Sequence, residues 1–381
     1  MRKMPLFIMI DAMGFEILSR HRFCNDLLPV RKRLNSVFGY SSACVPSILS
    51  GRWPDEHYNW CYFVYDPQNS PFHWLRSFRW LPHALTSRRI FRRRLSQAVQ
   101  QVMKFEGYFD LYNMPFEHLH LFDFSERKSP LRPGGMNKGP NIFDLLAQNQ
   151  VRYFVSDPHR PEGENFRILQ QQLRGGAVDF AFMYWANLDG LLHRVGNHSG
   201  ELQPLLDIYD RWIHQLVEAA SERYGGVELY VFSDHGMANC TKLVNLKGRI
   251  DALNLRFGED YAAVYDSTMA RFWFLKPGAR PAIEGELAQE PLGRVLPDYE
   301  IKSLRTYFPD HRFGELIFLL KEGTLLVPSH MGERPITAMH GYHPAETQSY
   351  ASLLTNQPAI PENITAIPHI YTLMAQSINA A

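Results

Sequence analysis

The chain has 381 residues, 45% hydrophobic and 21% charged, which is the composition of an ordinary globular protein with apolar material for a large core. One large α/β domain carrying an insertion fits that length. A formal charge of +1 at pH 7 excludes a global pull toward nucleic acid or acidic partners, so any electrostatic bias must be local.

The N-terminus, MRKMPLFIMIDAMG, has two basic residues, but its apolar run ends at Ile10 and meets an acid at once. That is too short for a signal peptide, and no run approaches the ~18 apolar residues of a membrane-spanning helix. Cys24, Cys44, Cys61 and Cys240 form no CxxC pair and read as free thiols, so a cytoplasmic location is expected.

LFIMI is the first buried strand, and Asp11 stands at its end. Taken alone, Asp11 could simply cap the next helix. The stretch GYSSACVPSILSGRWP (39–54) follows, with a run of hydroxyls. From 58 to 140 the rhythm breaks. Pro67 to Phe105 contains no Asp or Glu but holds Arg76, Arg79, Arg88, Arg89, Arg92, Arg93, Arg94 and Lys104. Phe91, Leu95, Val99 and Val102 recur at steps of three and four, which predicts a basic amphipathic helix. This segment is read as a cap-like insertion over the active-site face, and the Pro/Gly-rich SPLRPGGMNKGP (129–140) marks its return.

Thereafter strands and helices alternate. NIFDLLAQN is a helix, VRYFVS (151–156) and VDFAFMYW (178–185) are strands, and NLDGLLH follows. A helix over 202–223 has Leu205, Ile208, Trp212, Leu216 and Ala219 as its apolar stripe. It leads into the strand VELYVFS (227–233) and then Asp234-His235-Gly236, with Gly236 read as the residue that lets the chain turn sharply. MARFWFL and ELIFLLK are later strands. Alternation of this kind predicts an α/β fold with a mainly parallel central sheet and helices on both faces. Ligands of such sheets collect beyond the carboxyl ends of the strands, where Asp11, Asp234 and His235 stand.

Asp189 and His193 are four residues apart, one turn of helix, and can reach one ion. Two ionisable groups at a buried strand end, Asp234 and His235, need a compensating partner that a cation can supply. His340, in MHGYHP, offers a further imidazole, whereas His343 and His198 have no evident place in the pattern and read as supporting residues. Carboxylates and imidazoles in this mixture suit zinc or similar divalent ions, which activate oxygen nucleophiles. A hydrolase of phosphate esters is expected.

In this order, Asp, hydroxyl, Asp-x-x-x-His, Asp-His-Gly, His, the chain resembles the alkaline phosphatase superfamily, and its nucleotide pyrophosphatase/phosphodiesterase branch in particular. The resemblance runs from residue 5 to about 355, apart from the insertion, within a single domain spanning 1–381. It implies two divalent ions, zinc first with manganese as the alternative. Asp189, His193 and His340 would hold one, and Asp11, Asp234 and His235 the other. Gly51-Arg52-Trp53-Pro54-Asp55-Glu56-His57 resembles the family's G-x-x-P-x-x-H run, and the family's nucleophile lies ten residues before that Gly. This implies Ser41, which would also contact metal, at a helix N-terminus that favours an alkoxide and a phosphate. The branch generally has Thr there, and Ser42 remains the neighbouring register. Cys44-Val45-Pro46-Ser47 resembles the sulfatase C-x-P-S-R motif, but Ile48 replaces its Arg and Cys44 is seven residues before Gly51. The family's His-Gly is His57-Tyr58 here, and its phosphoryl-binding Asn has no matching position; Asn59, nearby but offset, is no more than a candidate oxyanion donor.

The resemblance implies a phosphodiesterase or phosphoanhydride hydrolase acting through a phosphoseryl intermediate. The substrate would be a small phosphate ester: a nucleotide, a nucleotide sugar, or a lipid or polyol phosphodiester. A phosphomonoesterase is the alternative within enzymes, and a silent module docking its basic helix on an anionic surface is the alternative outside them. Nucleic acid is not expected as a partner, and the basic insertion leaves peripheral membrane contact open.

Overall fold

The computed structural model describes residues 3–379 apart from Arg79 and Ser87, and apart from the side chains of His83, Ala84, Arg89 and Asn379. Arg79 and the Arg89 side chain, both counted in the basic run, therefore lie outside the described residues.

Six strands form the central sheet: β1 (Met4–Ile10), β2 (Val30–Leu34), β3 (Tyr153–Val155), β4 (Phe180–Trp185), β5 (Val227–Phe232) and β6 (Ala351–Thr355), in the order β2-β6-β5-β1-β4-β3. β1 pairs in parallel with β4 on one side and β5 on the other, while β6 runs antiparallel between β5 and β2. The pleat sends alternate residues of β1 to opposite faces. Phe7 and Met9 enter one buried cluster, and Met4, Leu6, Ile8 and Ile10 enter the other. Both faces are covered, as a parallel sheet requires.

Helices α1 (Ser41–Ser50), α3 (Ile142–Gln148) and α7 (Ile370–Asn379) lie on the Phe7 face. Helices α4 (Glu162–Gly175), α5 (Asn187–Val195) and α6 (Leu202–Ser221) lie on the other. In α6 the buried stripe is Leu202, Leu206, Tyr209, Ile213, Leu216, Ala219 and Ala220, so Leu216 and Ala219 lie on it as expected while Leu205, Ile208 and Trp212 are its half-buried flank.

MARFWFL and ELIFLLK do not join the central sheet. They pair with each other in a separate antiparallel sheet of Tyr261–Tyr265, Met269–Phe274, Leu316–Leu320 and Gly293–Val295. The 58–140 segment is seated on that sheet. Its strands Phe63–Tyr65 and Phe122–Phe124 pair with each other, and Phe72, Leu75, Val99, Phe105, Phe109 and Phe124 share a cluster with Ala262, Val264 and Trp273. Arg271 ties the two together. It is fully buried, pairs with Asp266 at 2.8 Å, and donates to the carbonyls of Phe63 and Phe313.

Helix α2 (Arg89–Met103) forms as the basic spacing predicts, with two corrections. Val102 is 74% exposed, so the inward stripe is the buried Val99 flanked by half-buried Phe91, Leu95 and Met103. Arg92 is 7% exposed, and its guanidinium donates to the carbonyls of Thr86, Tyr112 and Met114. It is a buried brace, not a surface charge.

Candidate active site

β5, β1 and β4 are adjacent, and the chain leaving their carboxyl ends carries Asp234-His235, Asp11, and α5 with Asp189 and His193. Topology alone thus gathers three of the four ligand-bearing segments. The fourth arrives through a short antiparallel pair, Ala238–Asn239 with Ala338–Met339, which delivers His340.

Two groups result. In the first, His193 Nε2 is 3.3 Å from Asp189 Oδ2 and His340 Nε2 is 3.7 Å from Asp189 Oδ1. In the second, His235 Nε2 is 3.2 Å from Asp234 Oδ2 and 3.5 Å from Asp11 Oδ1. One donor atom from each of Asp189, His193 and His340 lies within 4.8 Å of the others, and the same holds for Asp11, Asp189 and His235. Asp189 therefore stands between the groups, and the rings of His235 and His340 stack across them at 3.7 Å.

The tautomers are set from behind. His235 Nδ1 lies 2.9 Å from the Gly236 carbonyl and His193 Nδ1 lies 2.8 Å from that of Ala338. A carbonyl only accepts, so in the neutral rings each Nδ1 carries the proton and each Nε2 turns its lone pair toward carboxylates. Acceptors facing acceptors in a buried space require a cation. Asp11 Oδ1, Asp189 Oδ1, Asp234 Oδ2 and His340 Nδ1 are buried without a hydrogen-bond partner, the expected state of a donor set shaped for metal. The residues fit divalent ions of the zinc type.

The charges follow the same geometry. Burial, then the charges of Asp234 and Asp189, push the Asp11 carboxyl well above its usual range. Burial acts the same way on Asp189, but the His193 hydrogen bond and the neighbouring imidazoles outweigh it and bring Asp189 down to about 2. Burial, reinforced by His235, drives His340 well below an ordinary histidine. Burial also opposes protonation of His193, yet Asp189 holds that imidazole above its usual value.

Ser41 opens α1, and its Oγ lies 3.0 Å from His235 Nε2, at the edge of the second group. Ser42 points the other way: it is 3% exposed and donates to the Trp60 carbonyl at 2.6 Å. Gly51 ends the helix at φ +67°, its N–H donating to Ser47. Cys44 is fully buried, donates to the Val37 carbonyl, and has its thiol pushed up by burial. It faces the core, which removes the sulfatase-like option.

Four further residues singled out in the sequence have these places. Asn59 is 1% exposed and its carboxamide oxygen accepts from the Asn137 backbone, so it braces the return of the 58–140 segment and is not engaged with the acid and histidine groups. His343 pairs with Glu300, and His198 lies beside Asn239. Gly236 is needed for close approach rather than for a left-handed turn, since a Cβ there would lie 2.2 Å from the Gln348 carbonyl oxygen.

Two tyrosines were not foreseen. The Tyr184 hydroxyl donates to Asp11 Oδ2 and fixes that carboxylate. The only sequence signal was its position next to last in VDFAFMYW, on the β4 end beside β1. Tyr62, stacked on Phe124 at 5.3 Å, has a hydroxyl that burial raises well above the usual range, with Glu126, Tyr108, Asp11 and Asp189 adding to the effect. No periodicity marks it.

A likeness to known proteins is found at the level of sequence family and of fold. Solved structures of human ectonucleotide pyrophosphatase/phosphodiesterase 5 superpose with a TM-score of 0.70 at 14% identity, covering 99% of this chain and 95% of that one. The murine protein gives 0.67 at 16% identity, covering 99% and 95%. An inactive form of the murine protein in complex with AMP gives 0.66 at 16% identity, covering 100% and 95%. These likenesses show a shared fold. The family model of type I phosphodiesterase / nucleotide pyrophosphatase matches residues 6–343, from the first strand to the last histidine motif, and on that match the chain belongs to this family.

Proposed function

We propose that this protein hydrolyses phosphodiesters or phosphoanhydrides through a phosphoseryl intermediate on Ser41. The observation that carries the reading is the convergence of orphaned carboxylate oxygens and outward Nε2 lone pairs beside a helix-opening hydroxyl. Asp189, His193 and His340 would hold one divalent ion, and Asp11, Asp234 and His235 the other, with zinc the first choice and manganese the second. When bound, such ions supply the positive charge that favours an alkoxide and balances charge on a transferring phosphoryl group.

The chain's own residues do the rest. The α1 N-terminus directs unpaired N–H groups and its dipole toward a phosphate at Ser41. Ser41 Oγ attacks phosphorus, the Oγ–P bond forms, and the ester or anhydride oxygen leaves. Water then cleaves Oγ–P and restores the serine. Tyr184 fixes Asp11 through its hydroxyl, and the buried Tyr62 hydroxyl, on which the charges of Asp11 and Asp189 act, is proposed beside Asn59 as a donor to a phosphoryl oxygen. A nucleotide is the leading substrate class, supported by the AMP complex of the murine relative. The 58–140 segment is proposed as a cap on this domain, and the four free thiols support the proposal of a reducing, cytoplasmic setting.

The test compares nitrophenyl phosphodiester, phosphomonoester and sulfate on the zinc-loaded and chelator-stripped protein. Turnover of the diester first, restored by zinc or manganese at about two ions per chain, is expected. Faster monoester turnover favours a phosphatase. Full activity without metal, or none on any ester with metal bound, defeats the reading.

A further inference from the structure

The outer side of the 58–140 segment concentrates two properties that a soluble surface normally keeps apart. Eight of the chain's 40 lysines and arginines fall between Pro67 and Phe105 and none of its 39 acids do, which leaves 32 against 39 elsewhere. Arg76, Arg88, Arg93, Arg94 and Lys104 are exposed, and none of the five forms an ion pair among the described residues. Seven of the twelve exposed large hydrophobic side chains among the described residues also fall between Trp74 and Tyr108. Trp80 is 75% exposed and Ile90 79%.

The two sets interleave. On α2 the residues Ile90, Arg93, Arg94, Gln97, Gln101 and Val102 are all exposed, without an acid among them. The preceding turn of 3-10 helix, His73–Phe78, exposes Trp74, Arg76 and Phe78. Leu75 from that turn and Val99 from α2 enter the same buried cluster, so the outward side chains of both elements cover the outside of one layer. At the end of the layer, the Tyr108 ring lies 5.7 Å from that of Tyr62.

We propose that this layer docks on an anionic lipid surface. Unpaired cations match the negative surface potential of acidic headgroups. Tryptophans suit the headgroup level, and aliphatic side chains suit the acyl boundary beneath it. The aliphatic members decide between lipid and nucleic acid: Leu85, Ile90 and Val102 have no aromatic face on which a base could stack. None of the helices described is long and apolar enough to cross a membrane, so contact would be peripheral. The inference is independent of the chemistry proposed for Ser41.

The experiment is co-sedimentation of the full chain with vesicles of pure phosphatidylcholine and of phosphatidylcholine with phosphatidylglycerol, at low and physiological salt, with tryptophan emission recorded. Binding to the anionic vesicles alone, with a blue shift, is expected. Substituting Arg88→Gln, Arg93→Gln and Arg94→Gln together should weaken it about a hundredfold and flatten its salt dependence. Trp80→Ser with Ile90→Ser should weaken binding at least tenfold and leave the salt dependence in place. Both variants alter exposed side chains and should keep normal turnover of a soluble nitrophenyl diester. Failure to bind anionic vesicles, equal binding to neutral ones, or anionic binding unchanged in the Trp80/Ile90 variant would overturn the proposal. Preferential capture by a polyuridylate competitor would do the same and assign the layer to nucleic acid.

Discussion

Ser41 and Ser42 are chemically identical neighbours that a single turn of helix aims in different directions. One Oγ lies beside His235 and the other is spent on the Trp60 carbonyl. Ser41→Ala should therefore cut kcat by three or more orders of magnitude, on the order of the loss when a nucleophile is removed, while elemental analysis still finds the metal. Ser42→Ala should leave turnover nearly intact and lower stability by about 1–2 kcal/mol, because the buried Trp60 carbonyl loses its donor. The reverse result would shift the register by one residue. Most of this site was legible in the sequence, because an acid or histidine at the end of an apolar strand has few other reasons to be there. Asn59 was placed by a short count from His57, which says nothing about direction, and the structure shows its carboxamide oxygen accepting from the Asn137 backbone. Tyr184 was missed because its value lies in the β1–β4 register, which sets Met9 opposite Tyr184 and so brings that hydroxyl to Asp11.

Among the elements, α2 shows how far a periodic pattern carries. Spacing predicted the helix and three of its four inward apolar positions, yet it could not say which arginine the helix would bury. Arg92 follows Phe91 on the inner face, where Thr86, Tyr112 and Met114 offer carbonyls that have to be satisfied. Those partners come from the short helical turn before the helix and the loop after it, so nothing within the helix announces them. Arg92→Met should destabilise the protein by about 2–4 kcal/mol, since a charged donor to several buried carbonyls is lost. Arg93→Ala, fully solvent-facing, should stay within about 0.5 kcal/mol. Urea midpoints with unchanged slopes would confirm the contrast; equal effects would mean that the Arg92 brace is not formed in solution. The α6 stripe slipped for a related reason. Leu205, Ile208 and Trp212 are as apolar as their neighbours, and only the sheet against which the helix packs selects Leu206, Tyr209 and Ile213.

Across the whole molecule, alternation of strand and helix made the parallel sheet legible, whereas the second sheet and its seat for the 58–140 segment depend on contacts such as Arg271 to Phe63, 208 residues apart. The 58–140 segment also leaves a titration signature. Glu126 is 6% exposed, and burial alone raises its carboxyl from 4.5 to about 8. The folded state thus holds a proton that the unfolded chain releases above about 4.5. The resulting stabilisation is complete below that pH, falls as pH rises, and is gone above about 8. His57 and His330 work in the opposite sense, since burial lowers each to about 3; their contribution is present above 6.5 and fades as pH falls toward 3. Total stability is therefore dome-shaped and does not isolate Glu126, but a comparison with Glu126→Gln does, because both histidines cancel. The amide is a neutral isostere at every pH. At about 1.4 kcal/mol per pKa unit, its advantage should amount to a few kcal/mol above pH 8 and vanish near pH 4.5. Thermal melts of the two proteins across that range should show a Tm gap in favour of the glutamine that opens steadily with pH. A gap that does not change with pH would mean that Glu126 is ionised and paired in the folded chain.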